Sequence, residues 1–298
     1  MSRRAVSVDG VTRAPEQATV SVYDRGFLYG DGVFEVLRTY GGRPFALYEH
    51  LARFRRSAER VHIVLPVDEA TFEREIEATL DAAVSGDDSH ESYVRVVVTR
   101  GTGPLSLDPD TATHPLRVVL VEPLVVPPRD AYFGGVSVVC SSTRRPTDGT
   151  TASGAKVTNY LASVLALREA RSRGAQEVLV LDAGGHVVEG ATSNVFLMKA
   201  GRLVTPPESA GILAGITRAH IVRAAGSLGI SVDERELFPD DVYGADEVFL
   251  TSSIRELLPV VRVDERPIGP GAPGPAARAL HRRFRESVGM GDRPMPWE

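Results

Sequence analysis

Apolar and polar positions along the chain fall into two rhythms that replace one another repeatedly. Residues 33–40, rich in β-branched and aromatic side chains, and residues 43–47 flank Gly41-Gly42, which predicts a hairpin. Leu51, Phe54, Ala58 and Val61 then recur at helical spacing, predicting an amphipathic helix over 50–62. Phe72, Ile76, Leu80 and Ala83 repeat that spacing after Asp68, a residue suited to cap a helix. Residues 93–99 and 116–121 read as buried strands. Three prolines between 122 and 130, followed by Gly134-Gly135, mark a connector.

Beyond it the same mixture returns. The pattern predicts strands at 136–140, 178–181, 187–189 and 247–251, and helices at 159–173, 217–228 and from near Pro275 onward. Gly174 is placed to close the first of those helices. The alternation predicts an α/β (α+β) chain of two domains: a smaller N-terminal one over 1–121, a connector over 122–135, and a larger one over 136–298.

Composition narrows the class. Of 298 residues, 43% are hydrophobic and 24% charged, which fits a globular enzyme or binding protein. A net charge of -5 gives no reason to expect nucleic acid or an anionic membrane as partner. Cys140 is the only cysteine, so an intrachain disulfide and a thiolate metal cluster are excluded. The first ten residues lack the apolar core of a signal peptide, and no run is long enough to span a membrane; a cytoplasmic location is expected.

Lysine usage changes the picture further. Lys156 and Lys199 are the only two lysines, against 32 arginines. Arginine replaces lysine at most charged surface positions, but its guanidinium cannot form an imine. Lys199 sits in a Lys199-Ala200-Gly201 turn and reads as solvated. Lys156 follows the small residues Ser153-Gly154-Ala155 and precedes an apolar helix; taken alone it reads equally as a surface lysine left by codon bias or as an amine kept for its chemistry. A lysine that carries pyridoxal phosphate needs donors for the phosphate and a carboxylate for the ring nitrogen. The run from Gly211 to Arg218 leads a glycine-bearing loop into a helix, Glu189 ends a strand ahead of small residues, and Arg53 lies on the helix after His50. Each has an ordinary structural reading too: a loop with a threonine cap, a solvated turn glutamate, a surface arginine.

Together these segments resemble the fold-type IV family of pyridoxal-phosphate enzymes, which holds branched-chain aminotransferases, D-amino acid aminotransferases and aminodeoxychorismate lyases. Six motifs carry the resemblance in order. They are Asp24 to Glu35, Glu49 to Phe54, Lys156 to Leu161, Glu189 to Phe196, Leu213 to Arg218 and Phe249 to Ser253. The resemblance implies a transaminase with pyridoxal 5'-phosphate as cofactor and Lys156 as its Schiff-base lysine and proton carrier. It implies that Glu189 pairs with the pyridine nitrogen and that Tyr160 approaches the phenolic oxygen. Arg53, Ile216, Thr217 and Ser253 would hold the phosphate, with Ser193, Asn194 and Ser252 beside them. It also implies an active site between the domains, completed by the second subunit of a homodimer, and small amino acids and 2-oxo acids such as 2-oxoglutarate as substrates.

Within the family, Glu35 stands where the lyases carry threonine. Tyr29, Phe34, Arg38, Tyr93 and Arg95 match positions that line an apolar side-chain pocket in branched-chain enzymes, and Ile254 is grouped with them. This favours branched-chain L-amino acids. Two departures favour the D-amino acid or mixed-specificity alternative: Arg25 replaces the usual histidine, and Lys156 lies one residue nearer Asn159 than in typical enteric branched-chain enzymes. A D-amino acid enzyme's Arg-x-His trap is missing, with residues 103–108 in its place, so Arg25 or Arg95 would have to take a D-substrate's carboxylate. Core packing in a strand is the competing explanation for Phe34. A cofactor-binding protein without turnover would need Lys156, Glu189 or Arg53 to be missing, and all three are present.

Overall fold

A computed structural model of the chain describes residues 4–83, 91–145 and 152–298, with the backbone alone at 143 and 144. They form two compact units. One holds Met1–Val125 with Thr150–Tyr160, the other Val126–Gly149 with Leu161–Glu298. The chain therefore leaves the first unit and returns to it for the segment that bears Lys156. The connector expected at 122–135 is divided: its first strand runs to Pro123, while Arg129–Phe133 is a short helix of the second unit.

In the first unit, strands β1 (Ala5–Val8), β2 (Val11–Arg13), β3 (Gly32–Tyr40), β4 (Arg43–Pro44), β5 (Ser92–Thr99) and β6 (Arg117–Pro123) form an antiparallel sheet in the order β2-β1-β6-β5-β3-β4. Its helices are α1 (Arg25–Tyr29), α2 (Leu47–Arg60) and α3 (Glu69–Ala83). Leu51, Phe54 and Ala58 of α2 and Phe72, Ile76 and Leu80 of α3 pack on Val33, Leu37, Val94, Val96 and Val98. The strand period of two fixes what faces the other way. Phe34, Val36 and Arg38 stand opposite Val97, Arg95 and Tyr93 in the β3–β5 register, on the face away from those helices.

The hairpin's second strand is shorter than its pattern suggests. Ala46 adopts a left-handed backbone, φ 51°, and α2 begins at Leu47, three residues ahead of expectation. Leu47 is buried as the first helical residue, so an apolar position that fits a strand serves the helix.

The second unit carries α4 (Arg129–Phe133), β7 (Val136–Arg145), α5 (Leu161–Ser172), β8 (Glu177–Asp182), β9 (Val187–Gly190), β10 (Asn194–Lys199) and β11 (Arg202–Thr205). It continues through α6 (Ile216–Ser227), β12 (Val232–Glu234), α7 (Pro239–Tyr243), β13 (Glu247–Ser252), β14 (Glu256–Val263), β15 (Arg266–Pro267) and α8 (Pro275–Ser287). The strands make one mixed sheet, β12-β11-β10-β13-β14-β7-β8-β9, with β15 on β14. Leu179, Val195, Leu197, Leu250 and Val260 are among the residues of its core. Helix α5 begins at Leu161, two residues later than expected, because residues 156–158 are held against β3: Val157 bridges Val33, and the Thr158 N–H donates to Gly32 at 2.9 Å. Gly174 then reverses the chain at φ 71°.

Candidate active site

Lys156 is fixed from two sides before its amine is considered. Its backbone N–H donates to Ser57 Oγ of α2 at 3.1 Å, and its carbonyl accepts from the Phe34 N–H at 3.0 Å. The half-buried side chain lies on the sheet face that carries Phe34 and Arg95. Nζ is 4.5 Å from the Phe34 ring centroid and 3.3 Å from Tyr160 Oη. The Arg95 guanidinium lies 3.9 Å from the Phe34 centroid, and Tyr160 packs edge-on against the same ring at 5.0 Å. One aromatic ring thus gathers Lys156, Tyr160 and Arg95. Arg38 and Tyr93 share that sheet face by register; the Arg38 guanidinium lies 4.3 Å from the Tyr40 ring centroid. Phe34 is buried, as packing requires, and also forms the wall against which the amine rests.

On the helix side of β3, Glu35 is fully buried and meets two residues one helical turn apart on α2. Its Oε1 accepts from Arg53 Nε and its Oε2 from Arg53 Nη2, both at 2.7 Å. His50 Nδ1 lies 2.7 Å from the same Oε2. Burial pushes the Glu35 carboxyl up, but Arg53 and His50 outweigh it and hold it well below the usual carboxylate range. Burial is also the largest influence on His50, and it keeps the imidazole below its ordinary value despite Glu35. Arg53 is therefore a two-point-held guanidinium rather than a surface one.

Arg25, expected to be available for a carboxylate, is committed to the fold. Nε pairs with Asp31 Oδ2 at 2.9 Å, Nη1 donates to the Ser106 carbonyl at 2.6 Å, and Nη2 to the Leu107 carbonyl at 3.3 Å. It pins the 105–108 loop from a buried position. Tyr29 lies beside it, with the guanidinium 5.2 Å from the ring centroid.

In the second unit, Glu189 lies next to last in β9 with both oxygens engaged. Oε1 receives Arg145 Nη1 at 2.7 Å and Oε2 the Leu213 N–H at 3.1 Å. Arg145 is a residue that motif reading missed; it is visible in sequence only as half of an Arg144-Arg145 pair ahead of Pro146. Asn194 donates from Nδ2 to the Leu213 carbonyl at 3.0 Å, and a Cβ at Gly215 would fall 1.9 Å from its Oδ1. Asn194 thus buttresses the loop from underneath and needs glycine at 215. Gly215 caps α6 without any side-chain hydrogen bond, so the first N–H groups of the helix, at Ile216 and Thr217, have no intrahelical acceptor. Beside them Thr217 Oγ1 is buried with no partner among the described residues, as is Ser193 Oγ at the end of the neighbouring loop. Ser252 Oγ accepts from the Arg255 N–H at 3.3 Å, and Ser253 and Ile254 are half-buried in the same turn. Lys199 is exposed at the end of β10, with its amine on the Gly244 carbonyl.

These donors have the chemistry of a phosphate cradle: an uncapped helix start beside a buried, unpartnered hydroxyl. Glu189, held by a cation and a backbone N–H, has the chemistry of a pyridinium partner, and Lys156 that of an imine-forming amine. The residues present fit pyridoxal 5'-phosphate.

An antiparallel first sheet, a mixed second sheet and an amine-bearing return segment define a two-unit α/β enzyme, and the amino-transferase class IV family profile matches residues 32–263. The chain belongs to that family. The branched-chain-amino-acid aminotransferase of Escherichia coli (strain K12) is 34% identical over 280 residues, covering 90% of this chain and 88% of that protein. The D-alanine aminotransferase of Bacillus licheniformis is 31% identical over 272 residues, covering 91% and 93%. A crystal structure of a T.th. branched-chain amino acid aminotransferase with pyridoxamine 5'-phosphate superposes with a TM-score of 0.88 at 32% identity, covering 97% of this chain and 95% of that one.

Proposed function

We propose that this chain is a pyridoxal-phosphate-dependent transaminase that moves the amino group of branched-chain L-amino acids to a 2-oxo acid such as 2-oxoglutarate. The observation that carries the reading is the placement of Lys156 Nζ, against the Phe34 ring and 3.3 Å from Tyr160 Oη, on a rigid sheet face. When bound, the cofactor supplies an aldehyde for amines and a ring that draws electrons from the substrate carbon. Lys156 holds the cofactor at rest. With the cofactor bound, the Lys156 amine would act as general base toward the substrate Cα proton and then as general acid in returning it. Tyr160 orients that amine. Glu189 would pair with the ring nitrogen, and Arg145 and the Leu213 N–H hold its carboxylate in place. Thr217, the N–H groups that start α6, Ser253 and Arg53 hold the phosphate. Phe34, Tyr29, Tyr93 and Ile254 offer apolar surface to an aliphatic side chain. Such a box separates leucine, isoleucine and valine by only about 1–3 kcal/mol, so breadth among them is expected.

Glu35 supports a transaminase over a lyase, because its grip on two Arg53 nitrogens is one a threonine cannot make. The commitment of Arg25 to Asp31 and to loop carbonyls weighs against a D-substrate carboxylate site there. The reading extends to a cytoplasmic homodimer. Its support is the exposed apolar surface at Phe27, Leu161 and Val164 and a lone cysteine, which suits a reducing compartment. No helix among the described residues is long and apolar enough to cross a membrane.

The test is a half-reaction. Cofactor-loaded protein is mixed with single amino acids of each hand, and the pyridoxal absorbance is followed as it gives way to that of pyridoxamine. L-leucine, L-isoleucine and L-valine convert it, and D-alanine and D-glutamate leave it unchanged. Conversion by D-amino acids alone would transfer the assignment to a D-amino acid aminotransferase.

A further inference from the structure

Glu177, the first residue of β8, is a buried carboxylate that no step above uses. Its Oε2 accepts from Thr192 Oγ1 at 2.9 Å and from Arg255 Nη1 at 2.7 Å, while Oε1 accepts from the Val178 N–H at 3.1 Å. Thr192 and Arg255 belong to two different loops. Thr192 precedes Ser193, whose Oγ is buried without a partner among the described residues. Arg255 follows Ser252, Ser253 and Ile254. Asn194 opens β10 and pairs with Thr251 near the end of β13, so the two loops leave neighbouring strands at the same end of the sheet. The second loop is also fixed through its backbone: Tyr132 Oη donates to the Arg255 carbonyl at 3.1 Å, and Glu256 turns the chain at φ 57°. What those backbone contacts lack is any tie to the 190–193 loop, and Glu177 supplies it.

We propose that Glu177 is a positioning residue, a single carboxylate that sets the spacing between the 190–193 and 252–255 loops and so aligns the hydroxyls each presents to the cofactor. A buried ion pair is a weak device for stability alone, since apolar packing of the same volume does as well or better. Its advantage is directional. An arginine and a hydroxyl meeting on one oxygen fix an angle as well as a distance. The inference rests on the pyridoxal-phosphate reading of this site.

The test is the equilibrium affinity of the cofactor-free protein for pyridoxal 5'-phosphate, measured by dialysis beside a melting curve of the same sample. It is made on wild type, Glu177→Gln, Arg255→Gln and the double variant. The Glu177→Gln protein should bind roughly tenfold or more weakly, the scale on which outer-shell partners act at ligand sites. The double variant should be no worse than the weaker single one, because both substitutions break the same tie. Affinity within about twofold of wild type, with only the melting temperature lowered, would overturn the proposal and leave Glu177 a packing residue. If Glu177→Gln does not fold, Thr192→Val removes one arm alone; a smaller loss of affinity supports the tie, and no loss overturns it. A wild-type protein that takes up no cofactor would overturn the functional reading and this inference with it, whereas normal wild-type uptake with unaffected variants defeats the Glu177 role alone.

Discussion

The charged cluster of the first unit and that of the second differ in how their carboxylates are held and how far they are open to water. Around Glu35 the side chains of Glu35 and His50 are fully excluded from water and Arg53 nearly so, and both carboxylate oxygens are taken by the protein. Around Glu189 the pair with Arg145 is partly open, with side-chain exposures of 13% and 37%, and the nearby hydroxyls of Ser193 and Thr217 have no partner among the described residues. Leaving a buried polar group unpaired costs about 1–3 kcal/mol, so unpaired hydroxyls persist where they serve something outside the apoprotein. The first cluster uses both carboxylate oxygens to position Arg53 and His50, although His50 Nε2 is also buried without a partner among the described residues, whereas the second leaves two hydroxyls unpartnered beside a helix start.

Lys156 gives the harshest test of that contrast. The amine is the one group of the first unit assigned to proton transfer, while its backbone contacts to Ser57 and Phe34 do not depend on the side chain. Lys156→Ala should retain the fold by circular dichroism and lose transamination by roughly 10³-fold or more, the scale of a positioned acid–base group. Wild-type rates would end the mechanism.

The Glu35 network comes next. Replacing one partner of a buried pair strands the other, so Glu35→Gln should cost about 3–5 kcal/mol of stability in denaturant titration. The acid dependence has a defined sign. Glu35 is held below its unfolded value near 4.5, so the unfolded chain binds the proton more readily. Its contribution is complete above that value and declines as pH falls below it. His50, also depressed from its ordinary value of 6.5, adds a separate decline that begins as pH falls below that value. Stability followed from pH 7 downward should thus drop in two stages, and Glu35→Gln should shrink the lower one, to which Asp31, Asp182, Asp241 and Asp264, also held below their ordinary values, contribute as well. An unchanged lower stage would mean that Glu35 is not the group paired to Arg53.

Much of this is legible in the chain. Most strand and helix positions follow from period, because Val-rich strands and Leu51, Phe54 and Ala58 admit one reading each. Lys156 stands out because so few lysines remain. What the sequence does not show is pairing across distance. Glu35 reads as a family marker, and only the fold brings it to Arg53. Arg145 lies far from Glu189 in the chain, and nothing local distinguishes it from the other arginines. The helix start at Leu47 escapes for a different reason: a left-handed Ala46 has no residue-type signature, unlike the glycine that such a turn favours.

Arg25 yields the smallest expected effect and the finest discrimination, since here the sequence points to a ligand and the structure to a strut. A guanidinium that holds the Ser106 and Leu107 carbonyls and Asp31 acts on substrate only through the loop it pins. Arg25→Met should then cost about 1–3 kcal/mol of stability from the acceptors it leaves unpaired. It should lower turnover of L-leucine and of any D-amino acid by a common factor, because a loosened loop does not distinguish handedness. A carboxylate ligand would behave differently, with loss confined to the hand whose carboxylate it binds and appearing mainly in KM. A selective loss of D-amino acid turnover would move Arg25 from the class of side chain held wholly within the fold, where Glu35 stands, to the class that waits for a ligand. It would also reopen the choice between the two aminotransferase specificities. An equal loss on both hands would leave recognition of the substrate carboxylate to groups other than Arg25.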